Sequence, residues 1–150
     1  MKIIFVCHGN ICRSPMAEFI MKDLVKRKGM EDEFDISSAA VSYEEEGNGI
    51  YHYAANTLSR HGIPYGHHRA HRITVEEFRQ ADLVVIMDSS NERLLSRIVG
   101  GENMDKVHRM MEFAGSTRDV ADPWYTGNFE QAFSDITTGC QALLNHLSNY

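Results

Sequence analysis

Along the chain, short apolar runs alternate with amphipathic stretches. Residues 3–6 (Ile-Ile-Phe-Val) are continuously apolar, the pattern of a strand buried on both faces as in a parallel sheet. Ala17, Ile20, Met21, Leu24 and Val25 then recur at helical spacing, with Glu18, Lys22, Asp23 and Lys26 on the opposite face. This predicts a helix with Ser14 at its N-cap, Pro15 as its first residue and Gly29 past its end. Residues 34–41 read as a second strand and 51–60 as a second helix, stopped by Gly62 and Pro64. Thr74 and Glu77 have capping-box spacing and start a short helix. Residues 83–87 form the clearest central strand after the first, and Ser89 to Glu92 repeat the capping pattern before a helix running to Val99. A weaker strand covers 107–111, where His108 and Arg109 interrupt the apolar run. Phe129, Ala132, Phe133, Ile136, Cys140, Leu143, Leu144 and Leu147 line one face of a final helix.

Strands alternating with helices predict an α/β domain with a parallel sheet and right-handed crossovers, spanning residues 1–150 as one unit. Residues 112–128 carry no period and contain Gly115, Pro123 and Gly127. A connection of that length in a compact domain is usually functional. Ligands of open α/β sheets bind beyond the carboxyl ends of the strands, which is where the loop after the first strand lies.

Composition narrows the classes. The chain has 150 residues, 43% of them apolar and 24% charged, as in ordinary globular proteins. A net charge of -6 argues against a general nucleic-acid partner. No segment reaches the ~18 consecutive apolar residues of a membrane span, and the four-residue N-terminal run is no secretory signal. Three cysteines make no disulfide framework. The expectation is a cytoplasmic protein without a membrane partner.

The chemistry concentrates in Cys7-His8-Gly9-Asn10-Ile11-Cys12-Arg13-Ser14-Pro15. A strand feeding a short loop that opens a helix gathers backbone N–H groups and the positive end of the helix dipole into an anion site. A thiol at the start of that loop and a guanidinium at its end set a nucleophile against a bound oxyanion. A phosphoryl group suits it: its oxygens can take the N–H groups of residues 8–13 and a bidentate pair from Arg13, leaving Cys7 in line behind phosphorus. Gly9 permits a sharp turn, Asn10 tolerates a left-handed conformation, and the Ser14 hydroxyl is placed to assist the thiolate as leaving group. The competing readings are a buried core cysteine, a metal or iron–sulfur site using Cys7, His8 and Cys12, and a Cys7–Cys12 structural disulfide. The metal reading lacks a fourth ligand, since Cys140 falls on the apolar face of the last helix; His67, His68 and His71 lack a Cys or acidic partner at ligand spacing. No metal and no cofactor are expected.

Breaking a phosphate ester also requires an acid for the leaving oxygen, and the same group can then activate water. Asp122-Pro123-Trp124-Tyr125 in the aperiodic segment supplies one, with two aromatics to wall an apolar slot; Asp119 is its rival.

The run from Val6 to Glu18, together with Asp122-Pro-Trp-Tyr125, resembles the low-molecular-weight protein tyrosine phosphatase family. The similarity extends through Ser38-Ala-Ala-Val-Ser42, His61-Gly-Ile-Pro64, His68-Arg-Ala70 and Met87-Asp-Ser-Ser-Asn91. The resemblance implies a three-layer fold, a four-stranded parallel sheet with helices on both faces. It implies Cys7 as nucleophile forming a phosphocysteine, Arg13 as phosphoryl ligand, and Asp122 as general acid and then base. His8, Gly9, Asn10, Ile11, Cys12 and Ser14 would surround the phosphate. Asn10 would hold the loop through Ser38 and His68, Asp88 would support Arg13, and Cys12 would trap oxidised Cys7 as a reversible disulfide. Tyr43, Glu44, Trp124 and Tyr125 would wall the pocket; the first two stand where relatives often have one aromatic, and Trp124 stands where the family often has a tyrosine. The implied partner is a tyrosine-phosphorylated protein, a bacterial tyrosine kinase of polysaccharide export among the candidates, with inorganic phosphate as product and inhibitor.

Three rival activities belong to the same scaffold. A phosphoarginine phosphatase typically has threonine where this chain has Ile11, whose bulk favours a flat phenolic ring. An arsenate reductase needs two further cysteines, and none lies between Cys12 and Cys140. A non-catalytic phosphate-binding domain would not need both Arg13 and Asp122. The Glu44-Glu-Glu46 run reads as a solvated face or, if it borders the site, as a charge filter favouring basic phosphopeptides.

Overall fold

A computed structural model describes residues 1–148. Strand β1 (Lys2–Cys7) lies at the centre of a four-stranded, all-parallel sheet with β2 (Asp35–Ala40) on one side and β3 (Leu83–Ile86) then β4 (Val107–Arg109) on the other. The register pairs Ile3 with Ile36 and with Leu83, and Val6 with Ala39 and with Ile86. Alternate β1 residues face opposite layers. Ile3 and Phe5 join the cluster built with α1 (Arg13–Arg27), α2 (His52–Arg60) and α6 (Phe129–Ser148). Ile4 and Val6 join the other, with α3 (Val75–Gln80) and α4 (Ser89–Val99). Burial on both faces explains why β3 and β1 from Ile3 onward are apolar, at roughly 25 cal/mol for each Å² of apolar surface removed from water.

Two helix starts differ from the sequence expectation. Helix α1 begins at Arg13, with Cys12 at the N-cap and no side-chain cap; the Ser14 hydroxyl is instead engaged with Cys7 and Asn10. Helix α4 is capped by Asp88 rather than Ser89: the Asp88 carboxylate accepts the Asn91 N–H and the Asn91 side chain accepts the Asp88 N–H. The Thr74–Glu77 box on α3 forms as expected. Beyond Arg109 the backbone leaves the sheet as a 3-10 turn (Met110–Ala114) that packs on α6, where Gly139 lets the Met110 carbonyl approach to 2.7 Å from where a Cβ would stand. The predicted fourth strand is therefore shorter. The aperiodic segment holds one further short helix, α5 (Pro123–Thr126), with Asp122 as its N-cap.

The strand order β2-β1-β3-β4 reverses direction between β1 and β3. At such a switch point the loops leaving the two strands diverge and open a crevice at their carboxyl ends. Cys7 ends one strand and Asp88 follows the other closely.

Candidate active site

At that crevice the loop 8–12 wraps around the Cys7 sulfur. The N–H groups of Asn10 and Ser14 point at Sγ over 3.3 and 3.4 Å, and the Ser14 Oγ stands 3.1 Å from it. Asn10 carries the chain's only positive φ at a residue other than glycine, 61°, among the described residues. Its surroundings over-determine that conformation. The side-chain Nδ2 donates to Ser14 Oγ (2.8 Å) and Ser38 Oγ (3.0 Å), Oδ1 accepts the His71 N–H, and the main-chain oxygen meets His68 Nε2 at 2.7 Å. Ser38 in turn donates to Glu18. A strained backbone persists only where neighbours lock it, and four residues do so here.

Arg13 is 2% exposed. One guanidinium nitrogen donates to Asp88 Oδ2 (2.7 Å) and to the Val120 carbonyl (2.8 Å); the other lies 3.4 Å from Asp122 Oδ2. Burial opposes its charge, but the charges of Cys7, Asp122 and Asp88 outweigh that and hold its pKa above the usual arginine value. For Asp88, burial pushes the carboxyl up, and the Arg13 charge with its hydrogen bond prevails, so the carboxyl is held below the ordinary range.

Cys7, His8, Gly9, Ile11, Cys12, Arg13, Glu44, Glu45, Asp122, Trp124 and Tyr125 enclose a cavity of about 70 Å³, several times the ~10–15 Å³ one water needs. The arrangement offers a sulfur nucleophile, convergent backbone donors, a fixed cation and a carboxylate around one small anion-sized space. Trp124 is half exposed and braced edge-on by Tyr51, with ring centroids 4.9 Å apart, while the Tyr51 N–H donates to the Ile11 carbonyl. Tyr125 is 84% exposed at the rim.

Most of the residues named from sequence meet here. Tyr43 does not line the cavity: it lies outward, 65% exposed, stacked under the Arg72 guanidinium. Glu45 takes its place, passing over Gly9, where even a Cβ would come within 3.3 Å of it. Glu44 pairs with His8 at 3.0 Å on the rim, and Glu46 turns away to accept the Arg72 N–H. Asp119, the alternative acid, lies 3.6 Å from Arg109 and does not line the cavity. Cys12 and Cys140 are free thiols; burial, and for Cys12 also the charge of Cys7, raises both well above the usual thiol range. No cluster of potential metal ligands exists among the described residues.

Sequence reasoning missed Val120, Tyr51 and His71. Val120 and His71 act through main-chain groups that any residue type would carry. An aromatic beside a predicted helix, such as Tyr51, gives no sign of which loop it braces.

Comparison with known proteins places this geometry in a family. The sequence profile of low molecular weight phosphotyrosine protein phosphatases matches residues 2–150. The low molecular weight protein-tyrosine-phosphatase YfkJ of Bacillus subtilis is 36% identical over 144 residues, covering 95% of this chain and 92% of that protein. Its crystal structure superposes with a TM-score of 0.95 at 35% identity, covering 99% and 95% of the two chains. The human low molecular weight phosphotyrosine protein phosphatase is 34% identical over 149 residues, with coverage of 95% and 92%. The YwlE arginine phosphatase of Bacillus subtilis, solved as a cysteine-to-serine mutant with a phosphorylated active-site serine, matches at 29% identity with a TM-score of 0.86 over 99% and 96% of the chains. The chain belongs to the low molecular weight phosphotyrosine protein phosphatase family. No helix among the described residues is long and apolar enough to cross a membrane.

Proposed function

We propose that the chain hydrolyses protein phosphotyrosine and small aryl phosphates through a phosphocysteine on Cys7. One observation carries the reading: Cys7, Arg13 and Asp122 line a single cavity, with the Asn10 and Ser14 amides aimed at the sulfur. The phosphoryl group sits in the loop, its oxygens on the backbone amides and the Arg13 guanidinium. The Cys7 thiolate attacks phosphorus, the P–O bond to the phenol breaks, and the departing oxygen takes the proton of Asp122. In the second step Asp122, now a carboxylate, takes a proton from water. That water attacks the phosphocysteine, and the P–S electrons return to sulfur, with Ser14 Oγ at 3.1 Å to receive its charge. Inorganic phosphate leaves and is the expected product inhibitor.

The phosphorylated serine in the related YwlE structure supports covalent transfer to that position in the fold. Arginine phosphatases among the structural relatives keep phosphoarginine as the second reading. Ile11 on the cavity wall favours the flat aromatic ring over a guanidinium. The physiological partner would be a tyrosine-phosphorylated protein, a bacterial tyrosine kinase being one candidate, met in the cytoplasm.

The test runs phosphotyrosine, phosphoserine, phosphoarginine and arsenate side by side on reduced protein. Phosphotyrosine turnover is expected to dominate, to vanish in Cys7→Ser and to fall about 10²–10⁴-fold in Asp122→Ala while phosphate still binds. Turnover surviving Cys7→Ser would overturn the mechanism, and a preference for phosphoarginine would replace the substrate. Cys12 is proposed as the redox partner of Cys7: peroxide inactivation should reverse with dithiothreitol and become irreversible in Cys12→Ser.

A further inference from the structure

Two charged side chains are fully buried among the described residues, and they are Arg13 and Asp135. The first binds in the pocket. The second lies outside it, on α6, with its carboxylate 5% exposed. Burying a carboxylate is costly unless its oxygens are met. Arg118 meets both in a fork, Nη1 to Oδ2 at 2.8 Å and Nη2 to Oδ1 at 2.7 Å, and Gln131 adds a bond to Oδ1 at 3.0 Å. This geometry is the strong, directional form of the ion pair.

Arg118 stands four residues before Asp122, in the irregular stretch 116–122. The main chain of that stretch is held at Ser116, whose N–H donates to the Met111 carbonyl, and at Val120, whose N–H donates to the Met87 carbonyl and whose oxygen accepts from Arg13. Of the other side-chain ties, Asp119 to Arg109 is longer at 3.6 Å and exposed, and Asp122 itself lies 3.4 Å from Arg13. The backbone leading into Asp122 is thus fixed in turn by the fork on α6 at Arg118 and by the main-chain tie at Val120.

We propose that Asp135 is a positioning residue for Asp122, acting through Arg118. The proposal rests on Asp122 being the proton donor of the reaction above. Without the fork, the stretch keeps its main-chain ties at Ser116 and Val120 but loses the side-chain anchor between them, and the carboxylate drifts from the leaving oxygen. The cysteine loop makes no contact with Arg118 or Asp135 and keeps its hold on phosphate. Displacement of a reacting group by about 1 Å costs up to ~10²-fold, and the loss falls on substrates that need the proton.

The experiment compares kcat/KM of Asp135→Asn and Arg118→Gln on nitrophenyl phosphate, whose leaving group departs without help, and on phenyl phosphate, which needs protonation. The expected result is a fall of about tenfold on phenyl phosphate and under about twofold on nitrophenyl phosphate. Inhibition by inorganic phosphate should be unchanged, and the double variant no worse than the poorer single one. Arg118 is half exposed, so Arg118→Gln keeps the test available if Asp135→Asn folds poorly. An equal fall on both substrates, or no fall in folded protein, overturns the proposal. Asp122→Ala is measured alongside; if it shows no leaving-group dependence, the acid assignment itself fails instead.

Discussion

The two loops that make the pocket are built on opposite plans. The cysteine loop is contiguous in sequence and buried, with Asn10, Arg13 and Ser14 at 2% exposure or less and bonds from several elements converging on it. The acid loop is irregular, reaches the surface at Trp124 and Tyr125, and is tied down at a few points. The difference follows from their tasks. Phosphoryl binding needs many donors fixed before the anion arrives, because any reorganisation subtracts from transition-state stabilisation. The acid contributes one carboxylate, and the wall beside it must admit and release a side chain. A rigid cysteine loop therefore faces a lightly tethered carboxylate, as the proposed reaction requires.

Breaking the rigid side should cost most. Arg13→Lys replaces a fork that serves Asp88, Val120 and the phosphoryl group with a point charge. A fall in kcat/KM of about 10³-fold is expected in steady-state assays on an aryl phosphate. Asn10→Ala leaves every reacting group in place but removes the residue that fixes the left-handed turn. Activity should drop about 10²-fold, with a lower melting temperature, whereas a wild-type profile would show that the loop holds itself.

The tether of the acid loop can be probed by pH. In the native state the bonds from Arg118 lead, against an opposing cost of burial, in holding the Asp135 carboxyl below its ordinary value. A lowered carboxyl pKa adds stability above the unfolded pKa of about 3.9, and that stability is lost as pH falls through the folded value. Asp135→Asn should thus cost about 1–2 kcal/mol at pH 7 in denaturant melts, a modest figure because Arg118 is half exposed. The gap from the wild type should narrow below about pH 4 and close at lower pH. A gap independent of pH would assign the loss to packing.

The smallest effect belongs to the rim. Glu44 and Glu45 line the mouth, while Glu46 faces away and His8 hydrogen-bonds Glu44. Replacing all three with glutamine should lower the preference for basic over acidic phosphopeptides by a few-fold in about 0.05 M salt, with less change at high salt. An unchanged ratio removes the charge-filter reading.

Much of the cysteine loop was legible because its meaning lies in residues that are neighbours in sequence. A strand end, a thiol, Gly9, Asn10 and Arg13 within a few positions define the cradle, since helix-terminal amides and a guanidinium act on whatever precedes them. The proposed acid was legible only as Asp-Pro in a segment without period, and two aspartates competed for the role. What separated them was distance: Asp122 approaches Arg13, while Asp119 is drawn to Arg109. The same limit explains Tyr43 and Glu45, since the sequence showed an acidic run after β2 but not which of its side chains turns inward.

Hydrophobic periodicity by itself determined the alternating α/β order, the buried central strands and the long final helix, because burial on two faces or one leaves a direct trace in residue type. The spacing of Cys7 and Arg13 in one short loop made them the candidate nucleophile and cation. Only the tertiary structure decided how Asn10 is locked by Ser38, His68 and His71, why Arg13 can be buried beside Asp88 and Val120, and which aspartate shares the cavity with Cys7. Those relations join residues up to 109 positions apart. They depend on the strand order that brings the ends of β1 and β3 together, and no local pattern records which distant groups a sheet will place side by side.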